Sequence, residues 1–128
     1  MARSGAIHAL GVDAEPHEPL PETVLRMIAG PEEIIMLAKR TAADSTVRWG
    51  RLLFCAKEAV YKAWFPLAQR RLTFRDVPVA LAADGTIAAR LLIDGPVVAA
   101  NKLTGFSGRW LVDRGLIVAV VSVPVKVR

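Results

Sequence analysis

Three ionic side chains stand close together in the segment Phe54–Ala63: Lys57, Glu58 and Lys62, set among the small or apolar Ala56, Ala59, Val60 and Ala63. A carboxylate flanked by ammonium groups is what a site needs if it is to hold a divalent cation and a polyphosphate together. On a helix, side chains rotate by about 100° per residue, which puts Glu58 and Lys62 about 40° apart and Lys57 about 100° to the other side. One helix face then presents a carboxylate between two cations. The same spacing also describes an ordinary exposed i,i+4 ion pair, worth roughly 0.3 kcal/mol.

A second group of carboxylates lies upstream, in Gly11-Val12-Asp13-Ala14-Glu15. Residues two apart in an extended strand point to the same side, so Asp13 and Glu15 can converge at a strand end. If Glu58 approaches from the helix, three hard oxygen ligands surround one position. Mg2+ takes one or two protein carboxylates and completes its octahedron with water and phosphate oxygens, so such a position suits it. Taken alone, the pentapeptide also reads as a turn-initiating aspartate and a solvated glutamate before Pro16.

The elements that must position these residues follow from pattern. Ala6 to Val12 is apolar and reads as a strand ending at Asp13. The prolines at 16, 19 and 21 mark a loop. Short helices are expected over Glu22–Ile28 and Glu32–Lys39, the second opened by Pro31 and favoured by Glu32 and Glu33 in its first turn. Asp44, Ser45 and Thr46 offer N-caps for a long central helix running to about Phe65, where Pro66 bars continuation. Phe54, Tyr61 and Phe65 recur along it at helical spacing and read as core, Tyr61 keeping a polar tip. Val77–Ala82 and Thr86–Ile93 are joined by Asp84-Gly85, and Phe106–Val112 and Leu116–Val125 by Asp113-Arg114-Gly115, giving two hairpins. Strand, helices, then hairpins is an α+β order: an antiparallel sheet with the long central helix packed across it.

At 128 residues the chain is expected to form one domain, 1–128, with a real core. No apolar run approaches the roughly 18 residues of a spanning helix, so no membrane association is expected. The single Cys55 excludes an intrachain disulfide framework and suits a cytoplasmic location. Residues 1–46 carry four Lys/Arg against seven Asp/Glu, whereas residues 47–76 carry seven against two. The basic middle calls for an anionic ligand. With one tyrosine and no aromatic-basic surface motif, that ligand is not expected to be nucleic acid.

In this order and spacing, Gly-Val-Asp-Ala-Glu at 11–15 and Phe-Cys-Ala-Lys-Glu-Ala-Val-Tyr-Lys-Ala at 54–63 resemble the signature pair of the 4′-phosphopantetheinyl transferase superfamily. Arg51-Leu-Leu-Phe before the longer motif and Trp64-Phe-Pro-Leu after it are similar to the enterobactin-synthetase-component and surfactin-type branch. The resemblance implies Mg2+-dependent transfer of the phosphopantetheine arm from coenzyme A to a serine of an acyl or peptidyl carrier protein. It implies Asp13, Glu15 and Glu58 as Mg2+ ligands, and Lys57 and Lys62 as contacts of the coenzyme A phosphates, with Tyr61 grouped beside them. Glu58 and Lys62 are the catalytic candidates, Glu58 as acceptor of the serine proton. Carrier proteins are usually acidic, which matches Arg48, Arg51, Arg70 and Arg71. Surfactin-type members are roughly twice as long, a pseudo-dimer whose second half carries the motif pair. His8, within the first strand, does not stand in for the histidine that family members carry upstream. The chain is therefore expected to form a homo-oligomer or to pair with a missing N-terminal half. A catalytically incomplete half that binds without turnover is the alternative.

Overall fold

A long edge strand and a long helix, crossing at a glycine, frame everything that matters for the site. The computed structural model describes residues 7–124; the expected strand ends at Ala6 and Val125 lie outside the described residues. In chain order the elements are β1 (Ile7–Pro16), α1 (Glu22–Ile28), α2 (Pro31–Ala43), α3 (Trp49–Ala68), a 3-10 turn at Phe74–Asp76, β2 (Val79–Leu81), β3 (Thr86–Arg90), β4 (Val97–Val98), β5 (Asn101–Lys102), β6 (Gly105–Asp113) and β7 (Leu116–Pro124). Five strands form one antiparallel sheet in the order β1-β7-β6-β3-β2, and β4 and β5 make a separate small hairpin. The α+β expectation, an antiparallel sheet under a long helix, is the architecture observed. No described helix is long and apolar enough to cross a membrane.

Helix α3 packs across β1 and β7. Its buried stripe, including Leu52, Ala56, Ala59, Val60 and Ala63, meets Ile117, Ala119 and Val121 of β7. The close approach depends on Gly11, where an added Cβ would lie only 1.8 Å from the Ala59 carbonyl oxygen. Small residues on both elements therefore let strand and helix backbones touch. The opposite face of the sheet leaves Leu10, Val12 and Leu111 exposed.

Several boundaries differ from expectation for identifiable reasons. Strand β1 does not end at Asp13 but runs to Pro16, because its ladder with β7 continues through Asp13↔Ala119 and Glu15↔Ile117 to Pro16↔Leu116. Helix α2 continues past Lys39 to Ala43. Helix α3 starts after Arg48 rather than at Asp44–Thr46, because Asp44 Oδ1 accepts the Thr46 N–H and hydroxyl in a local turn. The Arg48 N–H is instead accepted by His17 Nε2 at 3.1 Å. Pro66 lies inside the last turn of α3, where few backbone bonds remain to be lost. The helix stops at Gln69, which takes φ 52° and donates to the Phe65 carbonyl. The first hairpin connection is four residues long rather than two, from Ala82 to Gly85, with Gly85 at φ 99°. The second is a two-residue turn in which both Arg114 (φ 52°) and Gly115 (φ 78°) are left-handed, a type I′ geometry.

The two sheet edges are finished differently. Along the free edge of β2, Val79 N–H donates to Glu33 Oε2 (2.8 Å) and Leu81 N–H to Met36 Sδ (3.1 Å). The Leu81 carbonyl accepts from Arg40 Nε (2.8 Å). Positions 33, 36 and 40 share one face of α2, so a single helix satisfies that edge. Beyond β1, at the other edge, no described strand pairs.

Candidate functional site

Asp13 and Glu15 leave β1 on the side that faces α3, and the helix brings Glu58 and Lys62 toward them. Asp13 is only 8% exposed, and its Oδ1 accepts a hydrogen bond from Lys62 Nζ at 2.7 Å. Its Oδ2 is buried with no hydrogen-bond partner. An acceptor in that condition is costly unless something donates to it, as the Glu15 carboxyl beside it does when protonated, or coordinates it. Glu15 lies beside Asp13 and 3.6 Å from Arg51 Nη1. Burial, together with hydrogen bonding and charge from Asp13, pushes its carboxyl up to about 7, against the opposing pull of Arg51. Burial and the Asp13 charge likewise raise Glu58, while Lys62 lowers it. Lys62 is raised, chiefly by its hydrogen bond to Asp13, and its side chain remains half exposed.

The three carboxylates therefore sense one another through space, with one nearby ammonium to offset them. Among the described residues, no three His, Cys, Asp or Glu side chains are drawn together tightly enough to hold a metal by themselves. Mg2+ asks for less, since one or two protein carboxylates suffice when a ligand supplies the remaining oxygens. Asp13 and Glu15 meet that requirement, and the unpartnered Oδ2 is an unsatisfied hard donor.

Lys57 is placed differently from expectation. It is 2% exposed, and its Nζ donates to the carbonyls of Ile28 (2.8 Å) and Phe74 (2.6 Å) and to Glu33 Oε1 (3.1 Å). An ammonium has three protons, and protein acceptors take all of them. Burial lowers the Lys57 pKa, while the Glu33 carboxylate opposes that shift. Helix geometry explains the placement: the turn of about 100° separating Lys57 from Glu58 carries it into the core beside Leu53 and Val60.

Along the Glu58 face of α3 runs a cleft of about 490 Å³. Glu58, Tyr61 and Phe65 form one wall and Arg71, Thr73 and Phe74 the other, with Lys57 at its base. Tyr61 and Phe65 are exposed cleft residues rather than core, their rings 6.1 Å apart. Phe54 is partly buried and packs against Phe74 at 6.2 Å. Of the basic residues around the helix, Arg51 is tied to the Glu18 and Pro19 carbonyls, and Arg70 lies over the Trp64 ring at 5.1 Å. Arg48 and Arg71 are exposed. Cys55 is buried, its thiol donating to the Asp13 carbonyl, and burial shifts its pKa strongly upward, away from thiolate chemistry. Glu33 was read from sequence only as a first-turn helix residue; its further signal was its place three residues after Gly30, from which its Oε1 accepts the Gly30 N–H.

Known proteins are similar to this chain over most of its length. The 4′-phosphopantetheinyl transferase Svp of Streptomyces mobaraensis is 47% identical over 124 residues, covering 96% of this chain and 50% of its own length. The 4′-phosphopantetheinyl transferase PptT of Mycobacterium tuberculosis is 41% identical over 126 residues, covering 94% of this chain and 55% of its own length. A third relative, Npt of Nocardia iowensis, is 37% identical, with 58% of its length covered. The chain thus spans little more than half the length of the curated relatives it matches. The family model for the superfamily matches residues 9–120, a span holding β1, the helices and most of the sheet, and the chain belongs to the 4′-phosphopantetheinyl transferase superfamily.

Proposed function

We propose that this chain performs phosphopantetheinyl transfer: a serine hydroxyl of an acyl or peptidyl carrier protein attacks the β-phosphorus of coenzyme A. The P–O bond to adenosine 3′,5′-bisphosphate breaks, and the serine proton passes to a protein carboxylate. The observation that carries the reading is the mutual placement of Asp13, Glu15, Glu58 and Lys62, with one buried Asp13 oxygen left without a partner. Asp13 and Glu15 would hold Mg2+, with Glu58 beside them. The ion would offset pyrophosphate charge, the main electrostatic requirement of such transfers.

The remaining chemistry belongs to the chain. Glu58, its pKa raised by burial and by Asp13, is suited to receive the serine proton directly or through one water. Lys62 has a half-exposed side chain and can exchange Asp13 for a phosphate oxygen, offsetting charge on the leaving group. Tyr61 and the cleft beside Glu58 offer a mixed polar and apolar channel for the pantetheine arm. Lys57 supports the base of that channel from within the core. The exposed Arg48 and Arg71 provide positive charge for an acidic carrier protein.

One observation favours a shared or incomplete site as the second reading: the chain spans about half of each relative, a proportion that fits the two-lobed branch. A second copy or a separate N-terminal lobe would complete the cleft; without one, the chain binds coenzyme A or carrier protein and does not turn over. Mass spectrometry of an apo carrier protein incubated with the chain, coenzyme A and Mg2+ separates the readings. A gain of one phosphopantetheine arm, lost in Glu58→Gln, supports the enzyme. Binding without gain supports the incomplete half, and neither binding nor gain refutes both.

A further inference from the structure

One buried ionic network lies outside the carboxylate cluster and touches nearly every element around the cleft. Glu33 is 3% exposed. Its Oε1 accepts the Gly30 N–H at 2.9 Å, and its Oε2 accepts the Val79 N–H at 2.8 Å and lies 3.0 Å from Lys57 Nζ. Lys57 carries the network on to the Ile28 carbonyl at the end of α1 and to the Phe74 carbonyl in the 3-10 turn. Five segments thus meet at one ion pair: the end of α1, the start of α2, the middle of α3, the 3-10 turn and the start of β2.

Stability alone does not require charges here, since well-packed hydrocarbons of the same volume often serve as well or better. Hydrocarbons cannot fix the direction of a backbone carbonyl or amide. The ion pair does so at Phe74 and at Val79, on either side of the stretch that ends the second cleft wall. It also fixes the rotation of α3 at Lys57, the residue next to Glu58.

We propose that Glu33 is a positioning residue of the cleft, acting through Lys57 to hold the Arg71–Val77 wall at a set distance from Glu58 and Tyr61. What fills the cleft rests on its reading as the coenzyme A site; the tether does not. Loss of the tether lets the wall drift, weakening ligand binding more than the chemical step at Glu58 and Lys62.

The test uses Glu33→Gln and, because that change leaves the Lys57 ammonium buried without a counter-charge, Glu33→Asp, which keeps the charge but draws the carboxylate back by one methylene from the Gly30 and Val79 amides. Calorimetry measures coenzyme A binding in Mg2+, and hydrogen exchange follows the amides of residues 73–79. In whichever variant melts cooperatively, coenzyme A should bind ~10-fold more weakly, with KM raised by a similar factor and kcat within about threefold of the parent. The 73–79 amides should exchange ~10-fold faster or more, while those of β1 and β7 keep their protection. Coenzyme A affinity within about twofold of the parent in a folded variant overturns the proposal, whatever the exchange rates. If the parent chain binds no coenzyme A, the reading of the cleft fails instead, and the exchange rates decide the tether alone.

Discussion

Replacing Gly11 by alanine should damage both stability and the site, because strand and helix meet there. An alanine Cβ would sit 1.8 Å from the Ala59 carbonyl oxygen and 2.8 Å from the Ala63 nitrogen, both backbone atoms that cannot swing aside. Ordinary contact begins at 3.4 Å, so β1 and α3 must part by up to about 1.6 Å, the difference between those two distances. Overpacking of this kind costs about 3 kcal/mol, which lowers Tm by ~12 °C for a domain of this size. The displaced elements are those that carry Asp13 and Glu15 on one side and Glu58 and Lys62 on the other. A 1 Å misplacement can cost ~100-fold in rate, so transfer should fall at least that far in the fraction that stays folded. Gly50→Ala serves as the control. Its Cβ would meet nothing nearer than Leu25 Cδ1 at 3.7 Å, and inside a helix alanine should stabilise by about 0.5 kcal/mol. Thermal melts by circular dichroism, paired with a carrier-protein transfer assay, read both effects. A Gly11→Ala chain that melts within about 2 °C of the parent would refute the close-approach argument.

Two further outcomes rest on other parts of the molecule. The raised Glu15 carboxyl, up from 4.5 to about 7, favours the fold most below its unfolded pKa, and that contribution fades as pH climbs through about 7. Mg2+ requires the ionised form, so the gain in Tm on adding Mg2+ should be greater at about pH 8 than at about pH 5.5; equal gains would count against Glu15 as a ligand. At the second hairpin, Arg114 holds a left-handed conformation that asparagine tolerates better, so Arg114→Asn should stabilise by about 0.7 kcal/mol and raise Tm by about 3 °C. A lowered Tm would show that the arginine side chain contributes something the turn geometry does not.

The central helix and the antiparallel hairpins were legible because each rests on local periodicity; Asp13 with Glu15, and Glu58 with Lys62, were paired by local spacing, while the meeting of the two pairs was expected only from the resemblance of the two motifs to the superfamily. What failed depended on partners distant in sequence. The true end of β1 is set by its register with β7, about a hundred residues away, so the local turn signal at Asp13 was overridden. Asp44 prefers Thr46 to the helix that follows, a local competition that N-cap rules alone do not resolve. Lys57 could have been placed by strict helical counting: it lies four residues after Leu53 and three before Val60, both fully buried. Its charge argued for solvent, and the carboxylate that makes burial tolerable sits 24 residues earlier, on α2. Phe65 gave the converse error, an aromatic residue read as core that lines a cleft instead; Tyr61, read as core by its spacing but grouped with the ligand contacts by resemblance, lines it too.

The capping of β2 by Glu33, Met36 and Arg40 makes the sheet one-ended. Among the described residues β1 alone leaves an edge from which backbone hydrogen bonding can extend it, so strand-to-strand recruitment has a single polarity. Two copies joined there about a two-fold axis would consume the growing edge of both, and that assembly would stop at a pair. A sheet with two bare edges has no such terminus and can propagate into a fibre. The three side chains that complete one margin of the fold thus impose a stoichiometric ceiling on whatever forms at the other.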